Sequence, residues 1–492
     1  MKYSFEQKDF IELLIEPNKL AIIGEDRSLT WAEFHLEVNA FCVFLEENNF
    51  VNSLNPVIIY GHKQVEMIIS IYACIKLGIT YIPVDLVYPI NRILAIKNIA
   101  KVDLILNCTG QQLKIDNTTE IIFTNGSFTF SQKNPHERMA LKKSDPLVYI
   151  IFTSGSTGEP KGVQISTEAI LSFSKWMTED FGFTAADVFV NVALFSFDLS
   201  VYELITFAAL GASLLLNSNE TLEKPEVFLS RMDKFNGSIW VSTPSFAFVY
   251  SRMESNVIDK NVRCFLFCGE VLTSVLAKTL KENYKNAQVY NTYGPTEATV
   301  ATTLVEITNS IIDKYNPLPV GFPKPNCTIR IEEEEIVIVG KNVSVGYLNR
   351  PDLNEEKFSM LDNERSFKTG DKGYFLDGML FCKGRNDDQV KLHGYRIELN
   401  EITSKMDAIA YIVKSETIAL RRNGEVKKIV SLIVLSDEQL FDVKKDLNNK
   451  LASLLPAYMI PSDFLIIEKI LLNQNGKADK LALEKMYLNR NK

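Results

Sequence analysis

Leu147-Val148-Tyr149-Ile150-Ile151-Phe152-Thr153-Ser154-Gly155-Ser156-Thr157-Gly158-Glu159-Pro160-Lys161-Gly162 runs from a β-branched and aromatic segment straight into a loop of hydroxyl residues and glycines that ends on a lysine. The first six residues are continuously apolar, as in a strand buried on both faces. In the loop, glycines free the backbone to turn its N–H groups toward an anion, the hydroxyls add donors and Lys161 adds charge. Thr153, Ser154, Gly155, Ser156, Thr157, Gly158 and Lys161 are therefore candidate ligands of a nucleotide polyphosphate. The loop is not a Walker A motif, because its lysine precedes Gly162 instead of following a glycine and preceding Ser or Thr. The plainer alternative is a Ser/Gly-rich surface loop.

Working outward, similar short runs recur at Val57-Ile58-Ile59-Tyr60, Ile239-Trp240-Val241-Ser242, Cys264-Phe265-Leu266-Phe267 and Gln288-Val289-Tyr290-Asn291. Between such runs lie segments of helical periodicity, among them 65–77 and 271–284. Alternating strands and helices imply α/β architecture, with mostly parallel sheets covered by helices. After Pro317 the texture changes to short strands such as Ile336-Val337-Ile338-Val339-Gly340 and to the turn-rich Thr369-Gly370-Asp371-Lys372-Gly373. The expected organisation is a large N-terminal domain, 1–386, with a β-rich subdomain at about 317–386, and a small α+β C-terminal domain, 387–492. In the latter, Asn423-Gly424 marks a hairpin turn and a helix is expected over 437–455. Residues 387–492 carry 17 basic and 15 acidic side chains against 36 and 46 before them, so the two parts differ in charge.

A chain of 492 residues exceeds one compact core, and 46% hydrophobic with 23% charged residues is the composition of an ordinary globular protein. A net charge of −8 argues against nucleic acid as a partner. The seven cysteines are scattered without C-x-x-C spacing and the four histidines form no H-x-x-x-H pair, so neither a disulfide framework nor a histidine-built metal site is expected. The charged start of the chain does not read as a signal peptide. The longest apolar stretch, near 204–216, falls short of the roughly 20 residues that span a bilayer. No membrane partner and a cytoplasmic location are expected.

The glycine-rich loop, read with Leu29-Thr30-Trp31-Ala32-Glu33-Phe34, Tyr81-Ile82-Pro83-Val84-Asp85, Asn291-Thr292-Tyr293-Gly294-Pro295-Thr296-Glu297, Phe367-Lys368-Thr369-Gly370-Asp371, Gly384-Arg385-Asn386-Asp387-Asp388-Gln389-Val390-Lys391 and Asn475-Gly476-Lys477, resembles the superfamily of adenylate-forming ligases over nearly the whole chain. A narrower resemblance, to the ligases that charge a carrier protein with D-alanine for teichoic acid modification, rests on Phe195-Ser196-Phe197-Asp198-Leu199-Ser200, Phe265 to Leu272, Thr296 to Val300 and Lys391-Leu392-His393-Gly394-Tyr395-Arg396. Glu159 and Tyr202 depart from the pattern at places read as peripheral.

The resemblance implies ATP and Mg²⁺ as cofactors, an amino acid substrate with D-alanine favoured, and a carrier protein bearing a phosphopantetheine arm. It further implies that Asn291, Thr292, Tyr293, Gly294, Pro295, Thr296, Asp371 and Arg385 join the glycine-rich loop in binding the nucleotide. Tyr293 would face adenine and Asp371 would accept from the ribose hydroxyls. Glu297 would hold the metal. Lys477, in a turn that otherwise reads as solvated, would be the catalytic lysine, and Asp387, otherwise a turn residue, would be the pivot of a mobile C-terminal domain.

Asp198 lies among apolar neighbours, where a carboxylate fits the ammonium of an amino acid and opposes a fatty or aryl acid. Its alternative reading is a helix N-cap. Cys268 and Val300 read either as walls limiting the substrate side chain or as core. Competing readings of the whole chain are an adenylating enzyme of a natural-product pathway, an acyl- or aryl-CoA synthetase, and an inactive nucleotide-binding scaffold.

Overall fold

The computed structural model describes residues 16–52, 55–124, 127–131, 146–155, 159–251, 253, 256–385, 387–422, 425–436, 442–472 and 478–490. The chain divides into two compact units. One comprises Met1–Leu86, Lys97–Ile151 and Gly162–Gly384; the other comprises Val87–Ile96, Phe152–Lys161 and Arg385–Lys492.

The first unit is built on two large sheets. An eight-stranded sheet runs in the order Gly346–Tyr347, Lys161–Ser166, Leu147–Thr153, Tyr81–Asp85, Val57–Gly61, Leu104–Asn107, Thr119–Thr124, Ser127–Ser131. Val57–Gly61 pairs in parallel with both Tyr81–Asp85 and Leu104–Asn107. A nine-stranded sheet has a parallel centre of Gln288–Tyr293, Cys264–Phe267, Ile239–Ser242, Val188–Asn191, Ser213–Leu216 and Leu20–Ile23. Most of these strands are buried at every residue, so their sequences carry runs of three or four apolar residues with no alternation. The helix Val65–Leu77 buries ten of its residues, and the aromatic cluster of Trp31, Phe34, Tyr72 and Phe207 fills the adjoining core.

Parallel strands bring their carboxyl ends to one edge, which is where α/β proteins place ligand-binding side chains. Asp85, Asn191 and Tyr293 end three of these strands, and Lys63 and Cys268 follow two others.

The β-rich part is a five-stranded sheet of Cys327–Glu332, Glu335–Gly340, Glu364–Leu376, Phe358–Leu361 and Met379–Arg385. Here one expectation is corrected. Thr369 to Gly373 is not a turn between strands but lies inside the 13-residue strand Glu364–Leu376. Val337 pairs with Lys368 and Glu335 with Lys372, leaving Thr369, Gly370 and Asp371 opposite Ile336 alone. The extra residues form a bulge, and Gly370, at φ +75°, adopts the left-handed backbone that it needs.

In the second unit, Ile412–Arg422 and Glu425–Leu435 form the antiparallel hairpin expected, with Asp463–Ile466 added in parallel. The turn Asn423-Gly424 lies outside the described residues. The helix expected over 437–455 is Val443–Ala452, started by the Asp442 carboxylate accepting from the Lys445 N–H; residues 437–441 also lie outside. Likewise the helix of 271–284 is Ser274–Asn283, capped by Thr273. Among the described residues no helix is long and apolar enough to cross a membrane.

Candidate functional site: a carboxylate cluster, an acidic turn and a glycine-rich loop

Asp198 opens a 3₁₀ turn, Asp198–Ser200, that leads into the helix Val201–Leu210. The capping position of the turn is Phe197 and that of the helix is Ser200, so Asp198 is not an N-cap. Four residues on, Tyr202 is fully buried, and its hydroxyl meets Thr292 Oγ1 at 2.7 Å. Thr292 has a single proton and gives it to the Phe267 carbonyl at 2.8 Å, so Tyr202 is the donor of that pair. Burial, then the neighbouring Cys268, pushes the Tyr202 phenol well above its ordinary range, and the Asp198 charge adds to this. Asp198 acts in the same direction on Tyr149. Cys268 Sγ in turn faces the Val300 carbonyl at 3.9 Å. Asp198, Tyr202, Cys268, Thr292 and Val300 thus form one connected set. Tyr202, read above as peripheral, is part of this set: i and i+4 on a helical path share a face, and that spacing from Asp198 was the available signal.

Val300 is 2% exposed and has φ +68°, rare for a β-branched residue, and Thr299 before it has φ +56°. Such backbone costs on the order of 1–3 kcal/mol per residue and persists only where surroundings impose it. The constraint comes from residues 342–347. Thr299 Oγ1 donates to the Asn342 carbonyl at 2.7 Å, the Ser344 N–H donates to the Glu297 carbonyl at 2.8 Å, and Tyr347 Oη donates to Glu297 Oε1 at 2.6 Å. Glu297 itself is fully buried in the 3₁₀ turn Thr296–Ala298. Among the described residues no group of three or more His, Cys, Asp or Glu is placed to hold a metal ion. One buried carboxylate suits a magnesium ion that takes its remaining ligands from phosphates and water.

At the end of the strand Gln288–Tyr293, Asn291 Nδ2 donates to the Pro319 carbonyl at 2.8 Å, and Tyr293 Oη donates to Asp371 Oδ2 at 2.6 Å. Burial first, and Asp371 second, push the Tyr293 phenol far up. Asp371 is aimed by the bulge: its N–H is bonded to Thr369 Oγ1 at 3.0 Å, while the Gly370 N–H donates to Glu335 Oε1 at 2.7 Å.

In the second unit, the glycine-rich loop leaves its strand at Thr153. A Cβ on Gly155 would sit 1.9 Å from the Glu159 carbonyl oxygen, so only glycine permits the chain to double back there. Its N–H donates to Glu401 Oε2 at 3.0 Å, and Glu401 pairs with the buried Arg92. Lys161, 7% exposed, faces Glu398 Oε1 at 3.5 Å. Ser154 Oγ donates to the Arg396 carbonyl at 2.9 Å and accepts from the Glu398 N–H at 3.1 Å. The two strongest anion-seeking groups of the described loop therefore face carboxylates. Ser156, Thr157 and Gly158 lie outside the described residues.

Arg385 grips Asp387 with both arms, Nε to Oδ1 at 2.6 Å and Nη2 to Oδ2 at 2.7 Å. Burial alone would raise the Asp387 carboxyl, but this paired guanidinium holds it below the usual range. Lys477 and its neighbours Asn475 and Gly476 lie outside the described residues.

The AMP-binding enzyme family matches residues 15–348, and the chain belongs to it. Among named relatives, the D-alanine–D-alanyl carrier protein ligase of Bacillus cytotoxicus (strain DSM 22905 / CIP 110041 / 391-98 / NVH 391-98) is 38% identical over 492 residues, covering 95% of this chain and 96% of its own. The protein of the same name from Bacillus cereus (strain B4264) is 38% identical over 497 residues with the same coverage. In fold, the chain is similar to the Vibrio cholerae adenylation domain AlmE, whose structure is in complex with glycyl-adenosine-5'-phosphate. The TM-score is 0.82 at 20% identity, over 99% of this chain and 98% of that one.

Proposed function

We propose that this chain activates D-alanine with ATP and delivers it to a carrier protein. In the first half-reaction a carboxylate oxygen of the amino acid attacks the α-phosphorus of ATP, the bond to the β-phosphate oxygen breaks, and pyrophosphate leaves. In the second, the phosphopantetheine thiol gives up its proton, its sulfur attacks the acyl carbonyl and AMP departs. The observation that carries this reading is the Asp198 charge acting on buried Tyr202, itself beside Cys268, whose Sγ faces the Val300 carbonyl at 3.9 Å. An ammonium complements that carboxylate, whereas a fatty or aryl acid brings no positive group to it.

In this reading Asp198 pairs with the substrate ammonium, and Cys268, Val300 and Tyr202 bound a space suited to a methyl group. Tyr293 lies against adenine. Asp371, which has more lone pairs than its bond from Tyr293 uses, accepts from the ribose hydroxyls, with Arg385 beside the nucleotide. Thr153, Ser154, Gly155, Ser156, Thr157, Gly158 and Lys161 bind the phosphates, and Asn291, Thr292, Gly294, Pro295 and Thr296 are further nucleotide ligands. A phosphate oxygen and the Glu401 carboxylate compete for the same Gly155 N–H, so nucleotide binding displaces Glu401. Glu297 holds Mg²⁺, which when bound offsets charge on the phosphates. Lys477 stabilises the charge that builds at the reacting carboxylate and α-phosphate. ATP supply places the enzyme in the cytoplasm, and its acylated carrier serves teichoic acid modification.

The test is ATP–pyrophosphate exchange over D- and L-alanine, glycine, serine, valine and a short fatty acid, followed by loading of a phosphopantetheinylated carrier. D-alanine should support the fastest exchange; exchange driven by the fatty acid alone would overturn the reading. Within the same panel, Cys268→Ala should relax selectivity without switching it, because a methylene-sized change is worth about 1–3 kcal/mol. L-alanine and valine should gain roughly tenfold relative to D-alanine, and unchanged ratios would return Cys268 to a packing role.

A further inference from the structure

Asp198 is useful only if the segment that carries it is fixed, and residues 192–197 belong to no strand or helix. A buried side chain that follows a strand of the other sheet reaches into this segment. Lys63 lies in the turn between the strand Val57–Gly61 and the helix Val65–Leu77. Its ammonium donates to Asn191 Oδ1 and to the Ala193 carbonyl, and stands 4.3 Å from the centre of the Phe195 ring. Three contacts thus converge on residues 191, 193 and 195, immediately before Asp198. Asn191 extends the cluster, its Nδ2 donating to the Ala193 carbonyl at 3.2 Å and to the Glu203 carboxylate, on the helix that follows Asp198. The turn that holds Lys63 is itself clamped, through His62, to the helix Asn219–Leu222 and to the strand Tyr81–Asp85. His62 Nε2 accepts from the Asn219 N–H at 3.0 Å, which makes Nδ1 the protonated nitrogen, and Nδ1 donates to Asp85 Oδ2 at 2.7 Å.

We infer that Lys63 is a positioning residue for amino-acid recognition: it links the two sheets and fixes the 191–197 segment so that the Asp198 carboxylate stands at the substrate ammonium. The inference rests on the amino-acid activation proposed above. Lys63 is fully enclosed; burial lowers its pKa to about 8, while burial raises that of Glu203 to about 8, each offset in part by the other. A buried pair of this kind adds little net stability compared with apolar residues of the same volume, which leaves specificity of geometry as its use.

Lys63→Met, Glu203→Gln and the double variant separate positioning from charge balance. In pyrophosphate exchange, Lys63→Met should raise the D-alanine KM by about tenfold or more, with kcat within about threefold and the ATP KM within about twofold of wild type. Glu203→Gln keeps an acceptor for Asn191 and should leave the D-alanine KM within about threefold. The double variant removes the buried carboxyl left without its cation, so its Tm should recover toward wild type while its D-alanine KM stays raised. If Tm and KM recover together, or if Lys63→Met raises both KM values equally, Lys63 is a structural charge partner and the inference fails. A wild type that exchanges with D-alanine beside a Lys63→Met variant with unchanged D-alanine KM overturns the inference alone. No D-alanine-dependent exchange in the wild type overturns the amino-acid reading and this inference with it.

Discussion

Asp198→Ala is expected to abolish exchange with amino acids and to leave ATP binding intact. Removing one member of a desolvated charge pair costs roughly 3–5 kcal/mol, a factor of at least ~10² in kcat/KM for D-alanine. The fold should tolerate the change. Phe197 and Ser200 hold the capping positions, so no helix start depends on the carboxylate, and the turn keeps its own bond from Ser200 Oγ to the Phe197 carbonyl at 2.8 Å. The Tm should therefore move little while specificity falls. ATP binding, followed by thermal shift, serves as the internal control. A variant whose kcat/KM for D-alanine stays within threefold of wild type would show that the amino-acid pocket lies elsewhere.

The fold was legible because its signals are local. A strand buried on both faces is signalled by a run of about four or more consecutive apolar residues; Leu147 to Phe152 and Cys264 to Phe267 supply one, and Ile239 to Val241 nearly does before Ser242. Asp371 was legible as a candidate through its motif, but its setting was not. Gly and Asp in Thr369-Gly370-Asp371-Lys372-Gly373 signal a turn as readily as a bulge, and only the pairing of Val337 and Glu335 with Lys368 and Lys372 decides between them.

What stayed hidden is the set of residues that act across long sequence distances. Tyr347 reaches Glu297 from 50 residues away, Lys63 reaches Asn191 from 128, and Glu401 reaches Gly155 from 246. A lone tyrosine, lysine or glutamate carries no local pattern that distinguishes such a partner from a solvated side chain. The glycine-rich loop shows the same division. Its anion-seeking chemistry follows from composition, yet nothing in the loop foretells that Glu398 and Glu401 face Lys161 and the Gly155 N–H.

Lys477→Ala and Asp387→Pro should fail in opposite half-reactions. Lys477 is proposed to stabilise the transition state of adenylation, where loss of one such charge costs about 10²–10³ in rate. The carrier thiol must later reach the same acyl-adenylate, and the two groups cannot occupy one place together. The proposed two-step reaction therefore predicts a C-terminal segment that changes its position between steps, with a few residues absorbing a large φ/ψ change. Asp387 sits in the bend between the strands Met379–Arg385 and Gln389–Leu392, held by the Arg385 guanidinium and by the Gln389 N–H at 3.3 Å. Proline there fixes φ near −65° and restricts Asn386 as well. It also removes the ion pair, so Asp387→Asn is the needed companion: it weakens the pair and keeps the backbone free. Asp387→Pro should retain pyrophosphate exchange and lose transfer to the carrier. Asp387→Asn should keep both steps within about threefold, since a partly exposed pair contributes on the order of 1 kcal/mol or less. Lys477→Ala should lose exchange yet still transfer from supplied D-alanyl-AMP. Matching losses in both half-reactions for Lys477→Ala and Asp387→Pro would sink the alternation between steps, and equal loss of transfer in the proline and asparagine variants would assign Asp387 to its charge rather than to a pivot.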